Sequence, residues 1–257
     1  MVKKFVTYLP LILLCIAAIA SLSFSEVKHA SLRCTDVLIS IEKNPSHSDF
    51  INIEDVYAAM NANRNMLIGK EVSEIDIHKI ESTLESNPTI LSCETYFTLK
   101  GELCVKIKQR TPIVRILSLH SSYYLDENGV MMPLSERGSS RVLVASGEIF
   151  TDYQPGVNVR DSANLKLLQD VFSLAQDIRS DSLFLPMIEQ IYVMPKREFV
   201  LTTKVGPSKI EFGTIDDKDV KFRHIRAFYK AEKVKENWDQ YVSLSLKYKN
   251  QIVCTKK

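Results

Sequence analysis

Leu91-Ser-Cys-Glu-Thr-Tyr-Phe-Thr-Leu-Lys-Gly-Glu-Leu-Cys-Val-Lys-Ile-Lys-Gln109 is the stretch on which the fold turns. Leu91, Cys93, Thr95, Phe97 and Leu99 alternate onto one face of a strand, and Leu103, Val105 and Ile107 alternate in the next. Strand side chains have a period of two, so a slip of one residue carries a whole set to the wrong face. Both sets are buried together if Leu99 opposes Leu103 and Lys100-Gly101-Glu102 makes the turn. That register sets Phe97 against Val105, Thr95 against Ile107 and Cys93 against Gln109. It leaves Cys104 on the other face, which argues against a Cys93–Cys104 disulfide.

Upstream, Asp36-Val-Leu-Ile-Ser-Ile-Glu42 reads as a strand, and Asn44-Pro-Ser-His-Ser48 as a turn cluster. Asn52 is placed to cap a helix whose first turn holds Glu54 and Asp55 and whose apolar face carries Val56, Ala59 and Met60. Ser73-Glu-Ile-Asp76 has the spacing of a capping box ahead of a second helix bearing Ile77, Ile80 and Leu84. Asn87-Pro88 ends that helix, because the residue before proline avoids helical geometry. Residues 36–109 therefore read as strand, helix, helix, strand, strand.

Downstream, residues 110–257 are predicted to be mostly β. Strands are expected at Ile113–Leu117, Tyr123–Leu125, Arg141–Ala145, Ile188–Met194, Glu198–Thr203 and Ser208–Phe212, with Asp126-Glu-Asn-Gly129 as a hairpin turn. Two amphipathic helices are expected at Asn164–Arg179 and Asp219–Lys235. The fold class is α+β.

At the other end, Phe5–Ser25 carries no charge, and Lys3 and Lys4 precede it. A helix rises ~1.5 Å per residue and a hydrocarbon core is ~30 Å thick, so about 20 residues suffice to cross. The run reads as a single transmembrane helix, with residues 1–4 as a cytoplasmic tail and 26–35 as a juxtamembrane linker. The rival reading is a cleaved signal peptide, with Ala18-Ile19-Ala20 as its small-x-small site. The apolar run continues past that site through Leu22 and Phe24, which favours the anchor. Either way, the remainder is exported.

Composition narrows the function. The 257 residues hold 33 Lys+Arg against 31 Asp+Glu, a formal charge of +2 that argues against a nucleic-acid partner. Cysteines at 15, 34, 93, 104 and 254 form neither a disulfide framework nor a metal knuckle. His29, His47, His78, His120 and His224 have no partner at metal-ligand spacing. No nucleophile elbow, phosphate loop or dinucleotide fingerprint is present. Asp216, Asp217 and Asp219 precede a helix and are accounted for by its dipole. The reading is of a non-enzymatic protein with no catalytic residue, metal or cofactor.

The candidate site is the last clear strand. Val242, Leu244, Leu246 and Tyr248 point one way and Ser243, Ser245 and Lys247 the other, beginning from Tyr241. A strand so near the chain end is expected at a sheet edge, where unpaired backbone groups can receive a partner's strand. From Tyr241 on there are four lysines and no acid. They either favour an acidic partner segment or only blunt the edge against aggregation.

Several stretches resemble the FtsQ/DivIB cell-division family, in particular its Bacteroidota-type members. They are Lys108-Gln-Arg-Thr-Pro-Ile-Val114 at the domain junction, Tyr123-Tyr-Leu-Asp-Glu-Asn-Gly129, Phe212-Gly213 with the helix after it, and Trp238–Cys254. The resemblance implies a POTRA-like domain at 36–109 and a β domain at 110–257. It implies a single-pass protein of the cell inner membrane, N-terminus cytoplasmic and bulk periplasmic, placed at the division septum. It implies a scaffold that links early and late division proteins, with FtsB-like and FtsL-like partners at Tyr241–Tyr248 and other divisome components at the POTRA-like domain. The competing expectation is an exported POTRA-containing chaperone of envelope transport or outer-membrane assembly.

Overall fold

The computed structural model describes residues 32–43, 49–61, 63–135, 137–231, 238–248 and 251–257. The expected tail and membrane helix, residues 1–25, lie outside them, as do residues 26–31 of the expected linker. Among the described residues no helix is long and apolar enough to cross a membrane.

The chain divides into two compact units, one of residues up to Glu42 with Ile51–Lys108, the other of Lys43–Phe50 with Gln109–Lys257. In the first unit β1 (Asp36–Glu42) precedes α1 (Ile53–Ala59), a short α2 (Arg64–Leu67) and α3 (Ile77–Glu85), followed by β2 (Ile90–Phe97) and β3 (Glu102–Gln109). The sheet order is β1-β3-β2, with β1 parallel to β3 from Asp36↔Glu102 to Glu42↔Lys108. Val37, Val56, Leu84, Leu103, Val105 and Ile107 form its core. The two longer helices and the short α2, which buries Leu67, share this core with the three-stranded sheet, and the order is strand, helices, strand, strand.

Local chemistry differs from expectation at three points. The capping box is at Asn52 and Asp55, each side chain accepting from the other's backbone N–H at 2.8 Å. Ser73 instead sits in a 3-10 turn, and α3 is capped by Asp76, which accepts from Lys79 N at 3.0 Å. Aspartate is itself a strong cap, so the acid three residues after Ser73 starts the helix rather than closing a box. The hairpin register also moves. Thr98 N donates to Glu102 O and Gly101 N to Thr98 O, so the turn is Leu99-Lys100-Gly101 and Leu99 is 82% exposed. Gly101 takes φ +83, the third position of a bulged three-residue loop. A shift of two residues preserves strand parity, so the expected faces survive. Cys93 is buried, Cys104 is half-buried, and both are free thiols.

The expected linker 26–35 is corrected at its end. Arg33 bridges Glu71, Cys34 N donates to Lys70 O and Thr35 N to Gly101 O, and Cys34 is buried in the first core. A buried thiol and satisfied backbone make Arg33–Thr35 part of the unit.

Among the described residues the second unit holds a nine-stranded mixed sheet. Its strands are β4 (Pro112–Leu117), β5 (Ser122–Asp126), β6 (Met131–Met132), β7 (Leu143–Gly147), β8 (Ile188–Met194), β9 (Glu198–Thr203), β10 (Lys209–Gly213), β11 (Tyr241–Ser245) and β12 (Val253–Lys256), in the order β12-β11-β10-β9-β8-β7-β4-β5-β6. Helix α4 (Lys166–Ser180) is the crossover between parallel β7 and β8, and α5 (Lys218–Lys230) lies between β10 and β11. Both helices bury their apolar stripes against one sheet face. Leu168, Val171, Phe222 and Ile225 meet Ile116, Ile191, Leu201 and Ile210 there. Helix α5 ends at Lys230, short of the expected Lys235, and residues 232–237 lie outside the described residues. Buried Asp126 holds the Gly129 hairpin, accepting from Asn128 N and Val130 N and pairing with Arg110 at 2.9 Å.

Candidate protein-binding edge

Strand β11 is built from below by aromatic packing. Tyr241 stands edge-on to Phe228 of α5 at 5.6 Å, and Tyr229 stands edge-on to Trp238 at 5.5 Å. Leu244 and Leu246 are buried in the second core, Leu246 at 3% exposure. This settles the two faces. The Leu244 side points to the helices, and Ser243, Ser245 and Lys247 belong to the opposite face. Val242 and Tyr248, expected with Leu244 and Leu246, are exposed instead. A bulge between Tyr241 and Ser243 breaks the alternation at one end, and the strand ends at Ser245, before Tyr248, at the other.

The expectation that Tyr241–Tyr248 forms the open edge is corrected. Strand β11 pairs in parallel with β10 through Lys209↔Ser243, Ile210↔Leu244 and Glu211↔Ser245. It pairs antiparallel with β12 through Ser243↔Thr255, Leu244↔Cys254 and Ser245↔Val253. Its backbone is engaged on both sides. The physical reason is chain reversal: after Ser245 the chain returns, and Val253–Lys256 becomes the outermost strand. Val253, Thr255 and Lys256 are exposed, and Cys254 packs beside the core. Lys256 lies over the Tyr241 ring at 6.0 Å, and Lys257 N donates to Gln240 O, which holds β12 in place.

The far border of the same sheet is closed. Met131 N donates to Val157 O and Val159 N to Gly129 O, so residues 157–159 occupy the outer side of β6. In the first unit the β2 border of the sheet is closed by other means. Glu85 accepts from Cys93 N at 3.0 Å and Glu81 accepts from Thr95 N at 2.7 Å. Four residues along a helix rise about 6 Å, close to the ~6.6 Å spanned by two residues of a strand. Carboxylates at i and i+4 of α3 therefore match alternate N–H groups of β2. Sequence reasoning missed this pair, although an i, i+4 glutamate pair beside an edge strand is a usable signal.

Electrostatics at the β11 end are local. The Lys247 ammonium beside Glu198 holds that carboxyl below its ordinary value, and the same contact raises Lys247. Burial lowers Lys221 and raises the Cys254 thiol. Thr214 donates to Asp216, and Asp217 begins α5 at φ +54 without a side-chain cap, which leaves Asp219 as the acid of the first turn. Among the described residues no group of three His, Cys, Asp or Glu side chains is placed to hold a metal.

Residues 111–255 match a family model described as FtsQ/DivIB, C-terminal related, and residues 32–108 match a POTRA-like domain. No curated protein matches the chain.

Proposed function

The chain belongs to the FtsQ/DivIB family, whose members are non-enzymatic cell-division scaffolds, and from this we propose that it joins early and late division proteins by receiving a partner's β-strand along β12. The partner is of the FtsB type, with an FtsL-type protein beside it. The POTRA-like domain holds other divisome components, and a single N-terminal span fixes the chain in the inner membrane at the septum. The observation that carries the reading is the outer side of β12, on which no strand pairs among the described residues, next to exposed Val242, Tyr248 and Val253.

Magnitudes say what the partner must bring. Four added residues form about two to four backbone hydrogen bonds, each worth ~0.5–1.5 kcal/mol net. Their sum is of the order of the ordering cost of association. Side-chain contacts must therefore supply the affinity. The chaperone reading would use the first unit's β2 as its peptide-binding edge, and the Glu81 and Glu85 carboxylates already occupy that border.

The test is co-purification of the full chain with FtsB-type and FtsL-type partners. Lys257 N donates to Gln240 O, so the N–H groups of Val253 and Thr255 face β11 and those of Cys254 and Lys256 face outward. Cys254→Pro with Lys256→Pro should therefore cost at least tenfold in partner affinity while the second unit still melts cooperatively. Binding within twofold of the unsubstituted chain would remove the strand-addition mechanism.

A further inference from the structure

A cleft of about 640 Å³ opens in the second unit where β4, β7 and β8 begin, against the last turn of α4. Its volume lies within the ~300–1,000 Å³ range of sites that hold ligands. The floor is aliphatic, made by Ile113, Leu143, Ile178 and Ile188, and Leu185 stands at it 55% exposed. Three cations from separate segments line it: Arg141 before β7, Arg179 at the end of α4 and Lys204 after β9. Among the described residues Glu189 is the one acid in the lining, and Lys204 lies 3.4 Å from it. Arg179 reaches Glu127 only at 4.0 Å through Nη2, and its side chain is 39% exposed.

A partly exposed guanidinium whose one ion pair is long keeps donors for a further acceptor, and a carboxylate is the acceptor its fork fits. The lining carries an excess of two positive charges around an apolar floor. We infer that this cleft is a second docking site, for a short acidic segment of a partner protein in which carboxylates flank one or two aliphatic side chains. A bilayer presents its charge in a plane, whereas here the cations surround a recess that an aliphatic side chain can enter. Strand β8 is four strands from β12, roughly 19 Å at ~4.8 Å per strand. An occupant of the cleft and a strand on β12 would therefore not compete, as a scaffold requires.

The probe is a fluorescein-labelled peptide of alternating Glu and Leu, with a Lys-for-Glu counterpart, titrated by anisotropy onto the full chain in phosphatidylcholine nanodiscs. The acidic peptide should bind, and the basic one should bind at least tenfold more weakly. Arg179→Gln, and separately Arg141→Gln with Lys204→Gln, should each weaken the acidic peptide at least fivefold. The second variant changes side chains at the rim and leaves the aliphatic floor intact, so it reports even if Arg179→Gln disturbs folding. Cys254→Pro with Lys256→Pro should leave this binding unchanged, which separates it from the β12 border. Equal binding of both peptides, no binding of the acidic one, or unchanged binding in the rim variant would overturn the inference. So would capture of phosphatidylglycerol vesicles by a chain that ignores the acidic peptide.

Discussion

The outer strands β2 and β12, one in each unit, meet the same physical problem with opposite results. Each is the last strand of its sheet and would present a row of unpaired N–H and C=O groups. On β2 two glutamates of α3 accept the outward N–H groups of Cys93 and Thr95. On β12 no neighbouring strand or helix covers the outer side among the described residues, and the strand is only four residues long. The difference teaches that an edge becomes a binding site through what its surroundings leave unfilled. A short, open, lysine-bearing edge resists indiscriminate pairing but can still accept a partner whose side chains contribute.

The contrast can be broken from either side. Leu246→Arg forces a charge into the core beneath β11 and should destabilise the second unit on the order of 4 kcal/mol or more. Denaturant unfolding would register it, and partner binding should be lost with the fold. An unchanged midpoint would mean that β11 is not rooted as described.

Glu81→Ala with Glu85→Ala should turn β2 into the same kind of border as β12. Two partly buried N–H groups lose their acceptors, at about 1–3 kcal/mol for each. Hydrogen exchange at Cys93 and Thr95 should accelerate, and sedimentation should reveal self-association through the exposed edge. Retained protection at both amides would show that the carboxylates do not close it.

The smallest effect concerns Lys247. Its ammonium holds the exposed Glu198 carboxyl below its ordinary value, so the pair's contribution is present at neutral pH and is lost as pH falls through that lowered value. Lys247→Gln should return the Glu198 titration toward the ordinary carboxylate range in an NMR pH series, with no resolvable change in melting. A titration that does not move would assign the depression to another neighbour.

Much of the fold was legible because its signals are local. Strands β1, β8 and β9 fall at the positions that alternation of buried and exposed side chains predicts, and α4 follows the spacing of Leu168, Phe172 and Ala175. The hairpin faces at Cys93, Thr95 and Phe97 also follow, because a two-residue shift keeps parity, although the turn itself depended on Gly101 reaching positive φ. Less was legible at the candidate site. Val253-Cys-Thr-Lys256 is too short to show a period, so its own sequence does not mark it as a separate strand. The cleft gathers residues from Ile113 to Lys204, and no window of sequence contains them together.

Sequence alone determined most of the longer strands and helices and the faces they bury, since periodicity and capping act over a few residues. Tertiary structure decided which strand is outermost, which border is closed and where cations converge. An interior strand and an edge strand carry the same alternation, and only neighbours brought in from elsewhere along the chain distinguish them.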